Sequence, residues 1–229
     1  MREIIEFYSH IYLNKGSKIA IILSFLLALI YEAFFYFTNI DSYYYNHTLL
    51  NENYLSTSLM IFYLMIILVP YFIFIREANL LTDSFDTFIE SYYERKYIFI
   101  FKQITILSIS LILTLSYFLL LFGLPYFFFD LFKINFLNSI LNTLLFEFII
   151  IEIGLLFNYL FKNYFFTLII GVGIFIINII NTKILSCFVP TMYLSNITIC
   201  LKEEVYYYIL YGLVALCINY FLYVRLDRK

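Results

Sequence analysis

Three carboxylic acids lie inside long apolar stretches of this sequence, and their type and placement make them the first candidates for chemistry. Glu32 falls in the first stretch, and Glu147 and Glu152 fall in the fourth. A charge at the centre of a bilayer costs roughly 2.5–3.5 kcal/mol on insertion scales, so such side chains tend to face protein or water. These residues are therefore candidates for a polar patch along a transport path, or for binding a basic group of a substrate.

A structural role for the same carboxyl groups is the alternative. Each can be protonated and hydrogen-bonded between helices, or Glu32 and Glu147 can lie near the outer headgroups. Glu147 and Glu152 are five residues apart, which places them about 140° apart around a helix. The sequence therefore argues against a paired-carboxylate site built from these two alone.

Catalytic signatures are absent elsewhere in the sequence. The chain has two histidines, His10 and His47, too few for most zinc sites. Glu203-Glu204 resembles the start of a membrane protease motif, but Tyr208 stands where that motif needs Arg. None of the six glycines opens a G-x-x-x-x-G-K phosphate loop. We expect no enzyme activity, no metal and no cofactor in this chain.

The composition indicates the environment that must position these residues. Hydrophobic residues make up 64% of the 229 residues and charged residues 13%, against roughly 45–50% and about 25% in soluble domains. Apolar side chains on this scale exceed what a water-facing core can hide, so lipid is the expected solvent. The excess of Phe and Tyr over Trp, with 28, 24 and none, fits an AT-rich bacterial genome.

Hydropathy predicts an all-α integral membrane protein, one transmembrane domain over residues 1–229. Six apolar runs of near-spanning length predict transmembrane helices at about 19–38, 57–75, 98–122, 139–160, 165–181 and 205–224. Residues 1–18 instead carry apolar side chains on one helical face only, which predicts an amphipathic helix in the membrane interface, ended by Gly16. The outer loop 182–204 contains Cys187 and Cys200, which we interpret as two unpaired thiols, although a disulfide there stays open.

The distribution of Lys and Arg predicts the orientation. With the N-terminus inside, eleven of the 14 cations fall in inner segments and three in outer segments. The three outer cations are Lys133, Lys183 and Lys202. We therefore expect a multi-pass protein of the bacterial plasma membrane with both termini cytoplasmic.

The inner loop 76–97 is the most polar stretch of the chain. It combines apolar residues at near-helical spacing with acidic residues between them, which predicts a short amphipathic helix along the membrane face. Arg95 and Lys96 follow as a basic pair, and Lys102 marks the entry of the third span. The alternative is that this charge cluster only fixes the topology.

This layout resembles the permease subunits of ABC exporters, in the type-2 exporter permease family. Glu77 stands where that family's loop commonly begins, Arg95 and Lys96 match its basic pair, and Lys102 matches its closing lysine. The outer-loop run Pro190-Thr191-Met192-Tyr193 is similar to the Pro-x-x-Tyr often seen there. The sequence departs from the family at Ser91-Tyr92-Tyr93, where a small or proline-containing segment is usual.

The resemblance implies a coupling helix between spans two and three that docks on a separate ATP-binding subunit. The residues that it implies for this coupling are Glu77, Asp83, Phe85, Asp86, Phe88, Glu90, Arg95, Lys96 and Lys102. Two copies of the ATP-binding subunit, holding ATP and magnesium, and a second permease chain would complete the exporter. Nucleic acid is not an expected partner.

The expected function is export of an amphipathic or hydrophobic substrate, such as a peptide. The alternative is an ion-coupled secondary carrier or a bacteriocin-immunity membrane protein with no ATPase. Gly171 and Gly173 in the fifth run give the only hint of the broken helix that carriers often show.

Overall fold

A computed structural model describes residues 2–38, 68–75, 89–120, 136–161, 163–180, 192–195, 198–201 and 205–225. Its elements are α1 (Arg2–Tyr12), α2 (Lys15–Thr38), α3 (68–75), α4 (Arg95–Phe118), α5 (Phe136–Phe161), α6 (Tyr164–Ile180), β1 (Met192–Ser195), β2 (Thr198–Leu201) and α7 (Val205–Arg225).

Four of these helices are long and apolar enough to cross a membrane. They are Lys15–Phe34 within α2, the whole of α4, Leu137–Phe161 within α5, and α7. Helix α6 is also apolar, but its 17 residues extend only about 26 Å at 1.5 Å per residue, against a hydrocarbon core of about 30 Å. The helical, membrane-type architecture therefore agrees with the sequence, and the count of six spans stays a prediction.

The first helix ends earlier than the sequence indicates. Helix α1 stops at Tyr12, and Gly16 lies inside α2 rather than ending α1, so the expected boundary is wrong. The reason is Asn14, whose Oδ1 accepts a hydrogen bond from the Ser17 backbone N–H at 2.9 Å. A side-chain oxygen at this position satisfies a free amide of the first turn and starts a new helix.

The apolar face of α1 is covered by protein. Ile4, Tyr8, Ile11 and Tyr12 are all buried, and α1 packs against α4. The Tyr12 ring also meets Phe74 of α3 edge to face, with ring centroids 5.2 Å apart. Helix α1 is thus fastened to the bundle along the face that the periodicity identifies.

Helix α5 is the centre of the described bundle. It contacts α4, α6, α7 and β2, and its apolar residues point in all directions, as expected of a helix surrounded by other elements. By contrast, only 22% of the apolar window of α2 is buried, against 56% in α4. Helix α2 therefore lies at the periphery, with a broad apolar face exposed.

A short β-hairpin interrupts the otherwise helical architecture within the predicted outer loop. Strands β1 and β2 are antiparallel, with Met192 opposite Leu201 and Ser195 opposite Thr198. The all-α prediction is wrong for this segment. Its β-branched Thr198 and Ile199 favour extended backbone. Packing of β2 on α5 stabilises the hairpin further.

Tyr71 of α3 forms a wedge between α5 and α6. Its hydroxyl donates to the backbone oxygen of Thr167 in α6 at 2.6 Å, and its ring is buried. A Cβ atom on Gly154 of α5 would lie 2.6 Å from the ring, and one on Gly171 of α6 would overlap the ring still more. Both glycines therefore exist where a tyrosine ring passes directly against the helix backbone.

Candidate functional site

Polar side chains buried in the candidate spans gather into two clusters. We call the first the Glu147 cluster and the second the Glu152 cluster. The Glu147 cluster consists of Ser24, Thr114, Tyr117 and Glu147, and the Glu152 cluster consists of Gln103, Glu152 and Asn219. All seven residues are buried.

The Glu147 cluster connects three helices. The Thr114 hydroxyl lies 2.9 Å from each carboxylate oxygen of Glu147, which joins α4 to α5. One turn along α4, the Tyr117 hydroxyl is hydrogen-bonded to the Ser24 hydroxyl of α2. Phe25 stacks on the Tyr117 ring with centroids 4.4 Å apart. Through the Ser24–Tyr117 hydrogen bond, this cluster links the peripheral helix α2 to α4.

The Glu152 cluster joins α4, α5 and α7. The Asn219 amide nitrogen donates to Glu152 Oε2 and to the Glu152 backbone oxygen, both at 2.8 Å. The Gln103 side chain lies beside the same carboxyl group. The carboxyl is thus held from two directions by amide side chains inside an otherwise apolar bundle.

The three intramembrane carboxyl candidates are all buried, at 5% exposure or less. Glu147 and Glu152 face different partners, as their separation around the helix requires. Glu147 lies inside the bundle and not at an exposed headgroup position, and the same low exposure places Glu32 on a covered side of α2. A role for any of them in a transport path stays a prediction.

Lys102 lies inside the bundle as well. It is only 6% exposed, and its ammonium group sits over two rings, 5.2 Å from the centroid of Tyr8 and 4.9 Å from that of Tyr223. Such contacts stabilise a desolvated cation. A buried ammonium offers no surface to a docked subunit, so any coupling role of Lys102 acts through the packing of α1, α4 and α7.

The two residues of the basic pair at the start of α4, Arg95 and Lys96, make different contacts. Arg95 Nε lies 3.1 Å from Glu90 Oε2, and an Arg95 guanidinium nitrogen also donates to the Val224 backbone oxygen at 3.5 Å. Lys96 pairs with neighbouring Glu94 at 2.6 Å, and both side chains are largely exposed. Arg95 therefore connects the loop to the end of α7, whereas Lys96 makes a local surface pair.

The remaining predicted coupling residues fall outside the described residues. They are Glu77, Asp83, Phe85, Asp86 and Phe88. Among the residues described, none form a group of three or more His, Cys, Asp or Glu suited to a metal ion. Cys217 in α7 is a free, exposed thiol, and the question of a Cys187–Cys200 bridge also lies outside the described part.

An apolar groove separates part of α2 from α4. Its volume is about 290 Å³, and its walls include Ile21, Ile22, Ile109 and Leu113, with Lys18 at one side. A second, much smaller cavity of about 10 Å³ lies against Lys102 and Gln103. The groove is of a size and character to hold hydrocarbon, and the small cavity has room for about one water molecule.

Sequence reasoning missed several members of these clusters. Asn219 and Gln103 could have been identified from the sequence, because an amide side chain within a 20-residue apolar run is itself unusual. Tyr71 and Tyr117 could not, since the chain has 24 tyrosines and nothing local distinguishes these two.

Comparison of the chain with protein-family models, with curated proteins and with solved structures gives no match.

Proposed function

We propose that this chain is the membrane-spanning permease subunit of an ATP-driven exporter, with a separate ATP-binding subunit supplying hydrolysis. In this proposal the chain crosses a bacterial plasma membrane six times with both termini in the cytoplasm. Loop 76–97 then contains the coupling helix, and α1 lies at the inner membrane surface. Two permease chains, alike or related, form the path for an amphipathic or hydrophobic substrate.

The observation that carries this proposal is the position of Arg95. It joins Glu90, at the end of the proposed coupling loop, to the last turn of α7 while it begins α4 itself. About two turns further on, Lys102 connects the same helix to α1 and α7 through Tyr8 and Tyr223. A displacement of the loop would therefore be transmitted to α4, α7 and α1 together. An ATP-driven permease requires such transmission from its coupling loop to several helices.

The groove beside α2 supports the substrate class. Its apolar walls and the nearby Lys18 suit an amphipathic molecule, and the broad exposed face of α2 suits contact with lipid or with a second permease chain.

Docking of the loop is tested by co-purification. Full-length protein is expressed together with an ATP-binding-cassette subunit from a neighbouring gene, where one is encoded, then purified in nanodiscs and assayed for ATPase activity. Because Phe85 and Asp86 lie on the predicted coupling helix, Phe85→Ala and Asp86→Ala are expected to reduce subunit recovery and ATPase activity at least about fivefold, a coupling loss of ~1 kcal/mol. The control is Tyr206→Ala, because Tyr206 is 83% exposed and lies in the first turn of α7, at the opposite end of that helix from the Arg95 contact. A stable chain that recovers no such subunit contradicts the proposal.

Transmission from the loop is tested by comparing the two basic residues. A nitroxide label on Cys217, in a Cys187→Ser/Cys200→Ser background, reports ATP-dependent movement of α7 in the assembled complex. Arg95→Gln is expected to reduce that spectral change about fivefold without loss of the complex, because it breaks the link to Val224. Lys96→Gln is the matched control and is expected to behave as wild type. Equal effects of the two substitutions would show that Arg95 has no special role.

A secondary carrier without an ATPase is the second candidate. The observation in its favour is the pair of buried carboxyl groups, Glu147 and Glu152, in a candidate span, since ion-coupled carriers bind their ions at such residues. Transport that follows an ion gradient and continues without ATP or a partner subunit would decide for the carrier.

A further inference from the structure

Three buried side-chain oxygens of the Glu152 cluster have no described hydrogen-bond donor. Glu152 and Asn219 are completely buried, and Gln103 is 9% exposed. Glu152 Oε1, Gln103 Oε1 and Asn219 Oδ1 receive no hydrogen bond from any group that the structure describes. A buried acceptor left without a donor destabilises the folded chain, so a donor supplied to this cluster would stabilise it.

The Glu147 cluster provides the contrast. It has a carboxyl group of equal burial on the same helix, but the Thr114 hydroxyl lies at hydrogen-bonding distance from both of its oxygens, and no amide side chain with a free oxygen accompanies it among the contacts described. Of the two buried carboxyl groups on α5, only that of Glu152 has an oxygen with no hydrogen-bonding group near it among the described residues.

A single proton supplies such a donor. An ionised carboxylate only accepts hydrogen bonds, whereas a protonated carboxyl also donates one. Glu152 Oε2 already accepts from Asn219 at 2.8 Å, so the unoccupied Oε1 is the atom to protonate. The resulting Oε1–H bond converts one orphaned oxygen into a donor for an amide oxygen of the cluster, and it neutralises a charge that is costly in the apolar bundle.

A metal cation satisfies the site less well. The cavity beside Gln103 is lined by Lys102, Ile106 and Tyr159 among others, but by neither Glu152 nor Asn219. It therefore does not bring the three oxygens around one space, and the Lys102 ammonium next to it would repel a second cation. A proton needs no room.

We propose that the Glu152 cluster is an intramembrane proton-binding site, with the proton on Glu152 Oε1. The ionisable groups on its Gln103 side are Lys102 on α4, Tyr12 on α1 and Tyr159 on α5, which line the small cavity beside Gln103, and Tyr223 on α7, whose ring lies under the Lys102 ammonium. Release of the proton leaves a carboxylate that the Asn219 amide stabilises through its hydrogen bond to Oε2. This inference depends neither on an ATP-binding subunit nor on a particular substrate, so it stands or falls separately from the proposed function.

The direct test is infrared difference spectroscopy of the purified full-length chain in nanodiscs over a pH series. The wild type is expected to lose a carboxylic-acid C=O band and gain carboxylate bands as the pH rises. Glu152→Gln, which keeps the shape and neutrality of the protonated acid, is expected to lack this transition. Glu147→Gln is the control and is expected to retain it.

The thermal stability of the same proteins gives a second readout. Glutamate in an unfolded chain is ionised above about pH 4.3, so a native chain that keeps its proton binds one more than the unfolded chain. Stability then falls as the pH rises, by up to about tenfold in the folding equilibrium constant per pH unit. Glu152→Gln is expected to remove this component, and Glu152→Asp to restore it at a shifted pH.

Two results would overturn the proposal. A pH transition that is unchanged in Glu152→Gln would mean that the proton resides elsewhere. A transition that depends on sodium, when sodium is compared with choline at constant pH, would identify the cluster as a metal-cation site instead.

Discussion

Replacing Gly171 by alanine is expected to destabilise the folded protein by about 1–3 kcal/mol, the usual cost of overpacking a core. The added Cβ would overlap the ring of Tyr71. That ring cannot easily move, because its hydroxyl is bonded to Thr167 and its other side lies against Gly154. In a chain of this size the loss corresponds to a fall of roughly 2–4 °C in melting temperature per kcal/mol, which a thiol-reactive or scattering-based melting assay would detect.

Gly173 supplies the matched control two residues away. No atom of the described residues lies within 4 Å of a Cβ built there, so Gly173→Ala is expected to be neutral, or stabilising by up to ~1 kcal/mol through helix propensity. In a Tyr71→Leu background the cost of Gly171→Ala should shrink, since residues in contact are not additive. If both glycine substitutions cost the same in the wild type, the tyrosine wedge is not what constrains this helix.

Replacing Asn219 by leucine is expected to cost about 1–3 kcal/mol, the penalty for leaving buried acceptors without a donor. Asn219 donates to both the Glu152 carboxyl and the Glu152 backbone oxygen, and its removal leaves the carboxyl with Gln103 as its described amide neighbour. The measurement is the melting temperature of the purified chain in nanodiscs at fixed pH.

A double-mutant cycle shows whether the loss comes from the Asn219–Glu152 pair. Replacing both partners of a buried hydrogen bond by apolar groups of similar shape is often nearly neutral, so Glu152→Leu/Asn219→Leu should recover most of the stability that either single change removes. Asn138→Leu, at an exposed position of α5, controls for the chemistry of the substitution. Strictly additive losses in the cycle would show that the two side chains do not depend on each other.

The sequence by itself predicted the helical architecture and the presence of helices long and apolar enough to cross a membrane. Apolar runs long enough to span a bilayer can satisfy their backbone groups only as helices, and hydropathy registers this without tertiary information. The starts of α4 and α7 accordingly lie within three residues of their predicted positions, at Arg95 and Val205. Even the spacing of Glu147 and Glu152 was enough to separate their partners, since it depends only on helix geometry.

The helix boundaries and the β-hairpin were harder to predict from the sequence. A single side-chain hydrogen bond from Asn14 outweighed the helix-ending tendency of Gly16, and the β1–β2 hairpin depends on a surface that α5 provides. Each of these contacts contributes little free energy, so residue propensities alone do not show which of them decides where an element begins or ends.

Only the tertiary structure distinguished residues that look alike in the sequence. Arg95 and Lys96 are adjacent cations, yet only Arg95 is shown reaching the last turn of α7. Gly171 and Gly173 share one apolar helix, yet only Gly171 meets a tyrosine ring. These distinctions depend on which face of a helix points at which neighbour, and that is decided by packing between segments far apart in the chain. The buried cluster of Gln103, Glu152 and Asn219 arises in the same way, because three helices must meet before its oxygens can share one dry environment.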